Sequence, residues 1–401
     1  MNRCFGFYLV ALIGLICCRA MADVTPVPVD PGISEASKTD LNLASNPAEI
    51  AEIRQKVHDE VAKLAQNPSD PAIVSMVRQW LVDEMQSKDA PGATSPAYEK
   101  AYASELNAAF VDILVPSTPV NTRLNIGIVI KSLPGRTEML ARSVVQLLKD
   151  KSPAVVLWGE KAAGAILPAG VQDPAFNAGP RDEILAAIID SVAAQPAGPI
   201  AGMIAEEANQ AINPKLNTNT WPANLFPTPA VLSVLIDANL KLQKARLEIY
   251  KNSGVPGWPL ADTYASYLTL GIPDVWNAMT PAQQLQAAQQ ASDFISLASQ
   301  RAATRPNNEN DELIGALDEE GRWIQELGKT LNDDDLQAAG IGVNKLEVAS
   351  PLNQVRDACS AVFPAFQRDQ NFSTLQPPPT LANPKSASDS SGSAATTEAQ
   401  R

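Results

Sequence analysis

The chain is predicted to be all-α, and three observations carry that reading. A capping residue followed by proline and alanine recurs seven times. The runs between these starts place apolar residues at helical spacing. Aromatic residues make up only 5% of the 401 residues while alanine is abundant, which suits closely packed helices better than a β-rich sandwich. The architecture expected is an irregular α-solenoid or a multi-helix bundle with a disordered C-terminal tail.

The recurring phrase is Asn46-Pro47-Ala48, Asp70-Pro71-Ala72, Ser95-Pro96-Ala97, Ser152-Pro153-Ala154, Asp173-Pro174-Ala175, Thr228-Pro229-Ala230 and Thr280-Pro281-Ala282. Asn, Asp, Ser and Thr accept hydrogen bonds from the free amides of a first helical turn. Proline at the first helical position gives up an N–H that had no partner there. The instance at 173 is the weakest, because Gly179-Pro180 follows closely.

Taken in order, the first helix is expected from Pro47 to Gln66, with Ile50, Ile53, Val57, Val61 and Leu64 on one face. The second covers Pro71 to Ser87, aligning Ile73, Val77, Leu81 and Met85, and the third Pro96 to Val115. Further helices are expected over Val120–Leu133, Thr137–Asp150, Pro153–Leu167, Arg181–Gln195 and Pro199–Ile212. Ile126-Gly127-Ile128-Val129-Ile130 is β-branched, but its surroundings favour a buried helix over a strand. Residues 213–229 are rich in Pro and Asn and read as a linker between an N-terminal helical domain, 46–212, and a C-terminal helical region, 230–372. Helices resume at Ala230–Lys251, Leu260–Leu270, Pro281–Ala303, Asn310–Leu331 and Leu352–Val362.

The ends differ. Residues 1–22 read as a signal peptide: Arg3, an apolar run from Cys4 to Cys18, then Ala20-Met21-Ala22 before Asp23, the small-x-small pattern of a cleavage site between Ala22 and Asp23. The apolar run is too short for a spanning helix, which needs about 20 residues. Export, periplasmic or secreted, is therefore the expected localisation. Residues 23–45 look extended, and residues 373–401, with Pro377-Pro378-Pro379 and then Ser, Ala and Thr, read as a disordered tail.

Removal of Arg3 and Arg19 with the leader lowers the basic residues from 31 to 29 against 44 acids, a net charge of −15. Such a surface repels nucleic acid and anionic membranes. Cys4, Cys17 and Cys18 leave with the leader, so Cys359 is single and is expected to be buried. A mature chain of 379 residues, 22 fewer than the full 401, is long enough for a sizeable core without disulfide or metal staples.

The middle section shows a more particular pattern. Pro134-Gly135 precedes the helix around Met139 to Leu148, and the turn Asp150-Lys151-Ser152 leads into Pro153-Ala154-Val155 and a helix with small residues at its centre. Over roughly residues 95–195 this resembles HEAT or armadillo-type repeats. The resemblance implies helical hairpins stacked side by side around a protein-binding surface. The Pro-Ala starts are unequally spaced, which departs from a fixed repeat.

Catalytic patterns are sparse. His58 is the only histidine, on an amphipathic helix beside Val57 and Val61, where a structural role is expected. No Ser-x-x-Lys or Gly-x-Ser-x-Gly occurs; Gly159 to Gly164 lacks the Lys-Ser/Thr of a phosphate loop, and Gly340-Ile341-Gly342 lacks a third glycine. Asp318-Glu319-Glu320 and Asp333-Asp334-Asp335 read as solvated acids, the second positioned to begin a helix at Leu336. Trp221, Trp258, Tyr264, Tyr267 and Trp276 crowd together in an aromatic-poor chain. They form either a core or interdomain contact or an anchor patch for a partner. No catalytic residue, metal ligand or cofactor is expected. The leading expectation is an exported helical scaffold that binds another protein. A carboxylate-dependent hydrolase of envelope or sugar polymers is the alternative.

Overall fold

The computed structural model describes residues 32–88, 92–134, 138–172, 178–195, 199–212, 229–252, 274–303, 310–347 and 349–381, and among them every regular element is helical. The helices are α1 Glu35–Thr39, α2 Pro47–Gln66, α3 Pro71–Asp83, α4 Pro96–Ile113, α5 Val120–Ser132, α6 Ala141–Leu148, α7 Pro153–Gln172, α8 Ala178–Ala193 and α9 Pro199–Ile212. They continue as α10 Pro229–Asn252, α11 Asp274–Ala278, α12 Pro281–Ala302, α13 Asn310–Leu331, α14 Asp334–Asn344, α15 Leu352–Ser360 and α16 Val362–Arg368. The leader with its cut between Ala22 and Asp23, the linker up to residue 228, the helix expected over 260–270, and the start at 173 lie outside the described residues.

Six of the seven Pro-Ala phrases fall where a helix begins, at Pro47, Pro71, Pro96, Pro153, Pro229 and Pro281. Asn46, Asp70 and Ser95 each accept a bond from a first-turn amide. Thr280 and Gln283 cap each other reciprocally. The β-branched run at 126–130 is helical, inside α5, and buried at Ile126, Gly127, Val129 and Ile130. Gly127 lets α5 approach α7: a Cβ there would stand 2.8 Å from the Cβ of Trp158.

From α2 to α10 each helix packs on the next but one: α2 on α4, α3 on α5, α4 on α6, α5 on α7, α6 on α8, α7 on α9 and α8 on α10. Their apolar faces form one core that runs from Ile33 to Leu242. A second core begins on α9 and α10 with Ala201 and Leu232 and extends through α12–α16 to Leu375. α10 serves both. Leu235, Ala238 and Leu242 face the first core, while Ile236, Leu240, Leu247 and Tyr250 face the second. Buried amides seal the seam: Gln243 Nε2 donates to Asn209 and Asn239, and Gln290 Nε2 to the Leu240 carbonyl at 2.7 Å.

Three readings change. Residues 23–45, expected to be extended, contain α1 and a 3-10 turn at Leu43–Ser45, with Ile33, Lys38 and Leu43 buried. The cause is tertiary: Lys38 pairs with Glu84, 46 residues away, at 2.8 Å. The acids 333–335 do start a helix, but Asp333 is its cap, bonded to the Leu336 amide at 2.9 Å, and α14 begins at Asp334. Asn332 turns the chain with φ 57, so α13 folds straight back as α14. The pair approaches so closely that a Cβ on Gly340 would lie 2.3 Å from the Gln325 nitrogen. Lastly, the tail expected to be disordered from 373 is docked through residue 381, with Leu375 buried.

Candidate functional site

α10 has a third face besides its two apolar ones. Ser233, Lys241, Lys244 and Glu248 are exposed and Asp237 half-buried, recurring every three or four residues along one side. This stripe is the floor of a groove. Toward its start a depression of about 580 Å³ is lined by Ser233, Val234, Asp237 and Lys241 of α10, Asp182, Ile189 and Asp190 of α8, and Gln283 of α12. The next stretch, bounded by Ala193 and Gln195, shares Lys241 and continues over Lys244, Ala245 and Glu248. The last, about 430 Å³, shares Lys244 and Glu248 and is walled by Gln286, Gln289 and Asp293 of α12 and by Thr374, Leu375, Gln376 and Pro379. Lys241 borders the first two depressions and Lys244 and Glu248 border the last two, so the three follow one another along α10.

The groove is mixed in charge. Asp237 pairs with Lys241 at 2.7 Å, and Asp182 with Arg181 at 3.0 Å. Asp293 is the groove acid with a displaced titration: burial, reinforced by Glu248, pushes it up to about 6, while the bond from Gln289 and the Lys251 charge pull the other way.

The α12 wall holds the chain's own C-terminal segment by two glutamine amides. Gln289 Oε1 accepts the Gln376 N–H at 2.7 Å, and its Nε2 donates to the Gln376 carbonyl at 2.9 Å. Gln300 Oε1 accepts the Leu381 N–H at 2.9 Å, and its Nε2 donates to the Pro379 carbonyl at 3.0 Å. Each amide is oriented from α12 itself, Gln289 by Asp293 at 2.7 Å and Gln300 by Ser296 at 3.2 Å.

Away from the groove, two buried acids are pushed upward in pKa. Glu160 is fully buried in α7, and burial raises it well above the ordinary carboxyl range despite its contact with Ser191. Ser191 Oγ also lies 2.8 Å from the Ile188 carbonyl. One hydroxyl proton cannot serve both acceptors. A protonated Glu160 can donate to Ser191, which then donates onward to Ile188, while Glu160 Oε2 has no hydrogen-bond partner among the described residues. Glu320 of α13 is pushed up to about 8 by burial and by Glu319.

Of the anticipated aromatic patch, Trp221, Trp258, Tyr264 and Tyr267 lie outside the described residues. Trp276 is 3% exposed and meets Trp323 and Phe372 edge-on, with centroids 6.2 and 6.1 Å apart, inside the second core. His58 is half-buried, its Nε2 4.0 Å from Glu105, which Arg54 grips through two bonds of 3.0 Å. Cys359 is buried, and burial pushes its thiol up to about 12. Among the described residues no group of three or more His, Cys, Asp or Glu side chains is placed to hold a metal ion. No described helix is long and apolar enough to cross a membrane.

Sequence reading missed the groove and both glutamine clamps. A signal was present: Gln286, Gln289, Asp293, Ser296 and Gln300 follow one another at spacings of three and four along α12. That stripe is almost uncharged, unlike an ordinary solvated helix face.

No known protein family, curated protein or solved structure matches the chain.

Proposed function

We propose that the chain is an exported helical scaffold that binds a protein partner along the α10 groove. The observation that carries this reading is the succession of three depressions along α10 that share Lys241, Lys244 and Glu248, with lysines, acids and aliphatic stems interleaved. An extended mixed surface of that kind suits a polypeptide better than a small molecule, which prefers a single concave, largely apolar pocket. The next-but-one packing of α2–α10 is compatible with a solenoid, and solenoids commonly bind along extended faces. Export rests on residues 1–22 and is tested by N-terminal sequencing of the native protein, which should begin at Asp23.

The binding reading is tested with photo-crosslinking residues at Val234 and Ala245 in the groove and at the exposed Arg356 as a control, in the native envelope. A defined adduct from the two groove positions, absent from the control, is expected. Identical patterns from all three, or no adduct from any, would sink the proposal.

One observation favours the hydrolase alternative: Asp293, raised to about 6, and Glu248 line the same cleft. Asp293→Asn separates the two readings. The amide keeps an acceptor for Gln289, so binding should persist. A hydrolytic activity that required the acid would vanish.

A further inference from the structure

The C-terminal segment lies on α12 in the manner of a bound peptide. Leu375 is buried and Pro378, Pro379 and Leu381 are half-buried, while Gln376, Pro377 and Thr380 are exposed; the buried Phe372 ends the 3-10 turn that precedes the segment. Leu375, Pro378 and Leu381 are spaced by three, which is the period of polyproline II, and Pro377-Pro378-Pro379 restrict φ to the value that helix needs. The receptor matches this rise. Eleven helical residues, from Gln289 to Gln300, advance about 16 Å. Five polyproline II residues, from Gln376 to Leu381, advance about 15 Å. The two glutamines therefore meet the segment in register.

Both contacts read only the main chain: each amide takes one N–H and gives one N–H to a carbonyl. Both are held in place by neighbours on α12 rather than by the segment, so the receiving side is organised independently of its occupant. All four bonds to the segment are between neutral groups. Such bonds contribute modestly one by one and exchange readily.

We propose that Gln289 and Gln300 form a backbone-reading site for extended, proline-rich polypeptide, that residues 375–381 occupy it in cis, and that a proline-rich segment of a partner with apolar residues three apart displaces them. This deepens the binding reading above, since the clamp is one wall of the same groove.

The test uses the full chain and a fluorescein-labelled peptide of residues 373–381. Gln376→Pro with Leu381→Ser weakens the cis segment, removing one donor and one apolar anchor while leaving α12 untouched. The labelled peptide should bind this variant roughly tenfold or more tightly than it binds the native chain, and adding Gln289→Ala and Gln300→Ala should remove that gain. A peptide N-methylated at the residue corresponding to Leu381 lacks the donor to Gln300 and should bind several-fold more weakly. Should the quadruple variant fail to fold, Gln300→Ala alone should speed hydrogen exchange at the Leu381 amide while leaving the Gln376 amide protected.

The proposal is overturned if the weakened variant exchanges freely at residue 381 yet binds no peptide, or if binding ignores both glutamines. Glutamine-dependent peptide binding without groove adducts would leave the clamp standing and remove the scaffold reading. The reverse pattern would remove the clamp alone.

Discussion

The two ends of the described chain are fastened by opposite chemistry. At the N-terminal end Lys38 and Glu84 are fully buried and paired at 2.8 Å; Glu35 joins them through Lys38, and Glu84 accepts the Ile33 N–H at 2.9 Å. Ser95 binds the same segment, its N–H donating to the Lys38 carbonyl and its hydroxyl to that of Asp40. At the C-terminal end two neutral amides on α12 hold the backbone of residues 376–381. A charge left alone in a dry interior is costly, so the ionic latch opens only when its surroundings open. Neutral bonds at a partly exposed surface are lost singly and cheaply. The first end is built to stay, and the second can be exchanged.

Breaking the ionic latch should give the largest effect. Lys38→Met leaves Glu35 and Glu84 without their buried cation and should cost about 3–5 kcal/mol in denaturant unfolding. The opposite arrangement is a buried acid with no paired cation among the described residues, and Glu320 supplies it. Its pKa of about 8 lies above the ordinary carboxyl value of 4.5, so the stability it contributes is present below pH 4.5 and lost as pH rises through about 8. Glu320→Gln should therefore stabilise the protein at pH 9 by on the order of 3 kcal/mol, with little effect at pH 5.

Acid should then separate the two ends. Burial raises Glu84, but the bonds from Lys38 and Lys88 outweigh it and hold the group below its ordinary value. Glu35 is lowered in the same way by Lys38 and Ser87 against its own desolvation. Their contribution is present above pH 4.5 and lost as pH falls through the lowered values. Asp293, raised to about 6, runs in the other sense: the cost of its buried charge disappears as pH falls below about 6. Limited proteolysis at pH 3.5 should release the region around Ile33 before that around Leu381. The smallest effect is expected from Gln300→Ala, about 1–2 kcal/mol for two neutral bonds, read from thermal unfolding.

The helix starts were legible because they are local: a capping side chain and a proline act within one turn. The buried run at 126–130 was legible because its neighbours continued a helix. α1 was not, since a five-residue helix has no periodicity to read and depends on Glu84, far along the chain. The docked tail was hidden for a related reason. Its run of three prolines fits neither strand nor α-helix, and its main bonds come from side chains some eighty residues away. α10 was expected only as a helix over 230–251; its three faces follow from the helices stacked on either side.

Native-state hydrogen exchange on the full chain tests the contrast between the two fastenings most directly. The account predicts that the Gln376 and Leu381 amides exchange through local opening, with a free energy well below that of global unfolding, while the Ile33 and Ser95 amides exchange only with the global transition. Equal opening energies at the two ends, or easier opening at Ile33 than at Leu381 at neutral pH, would contradict it.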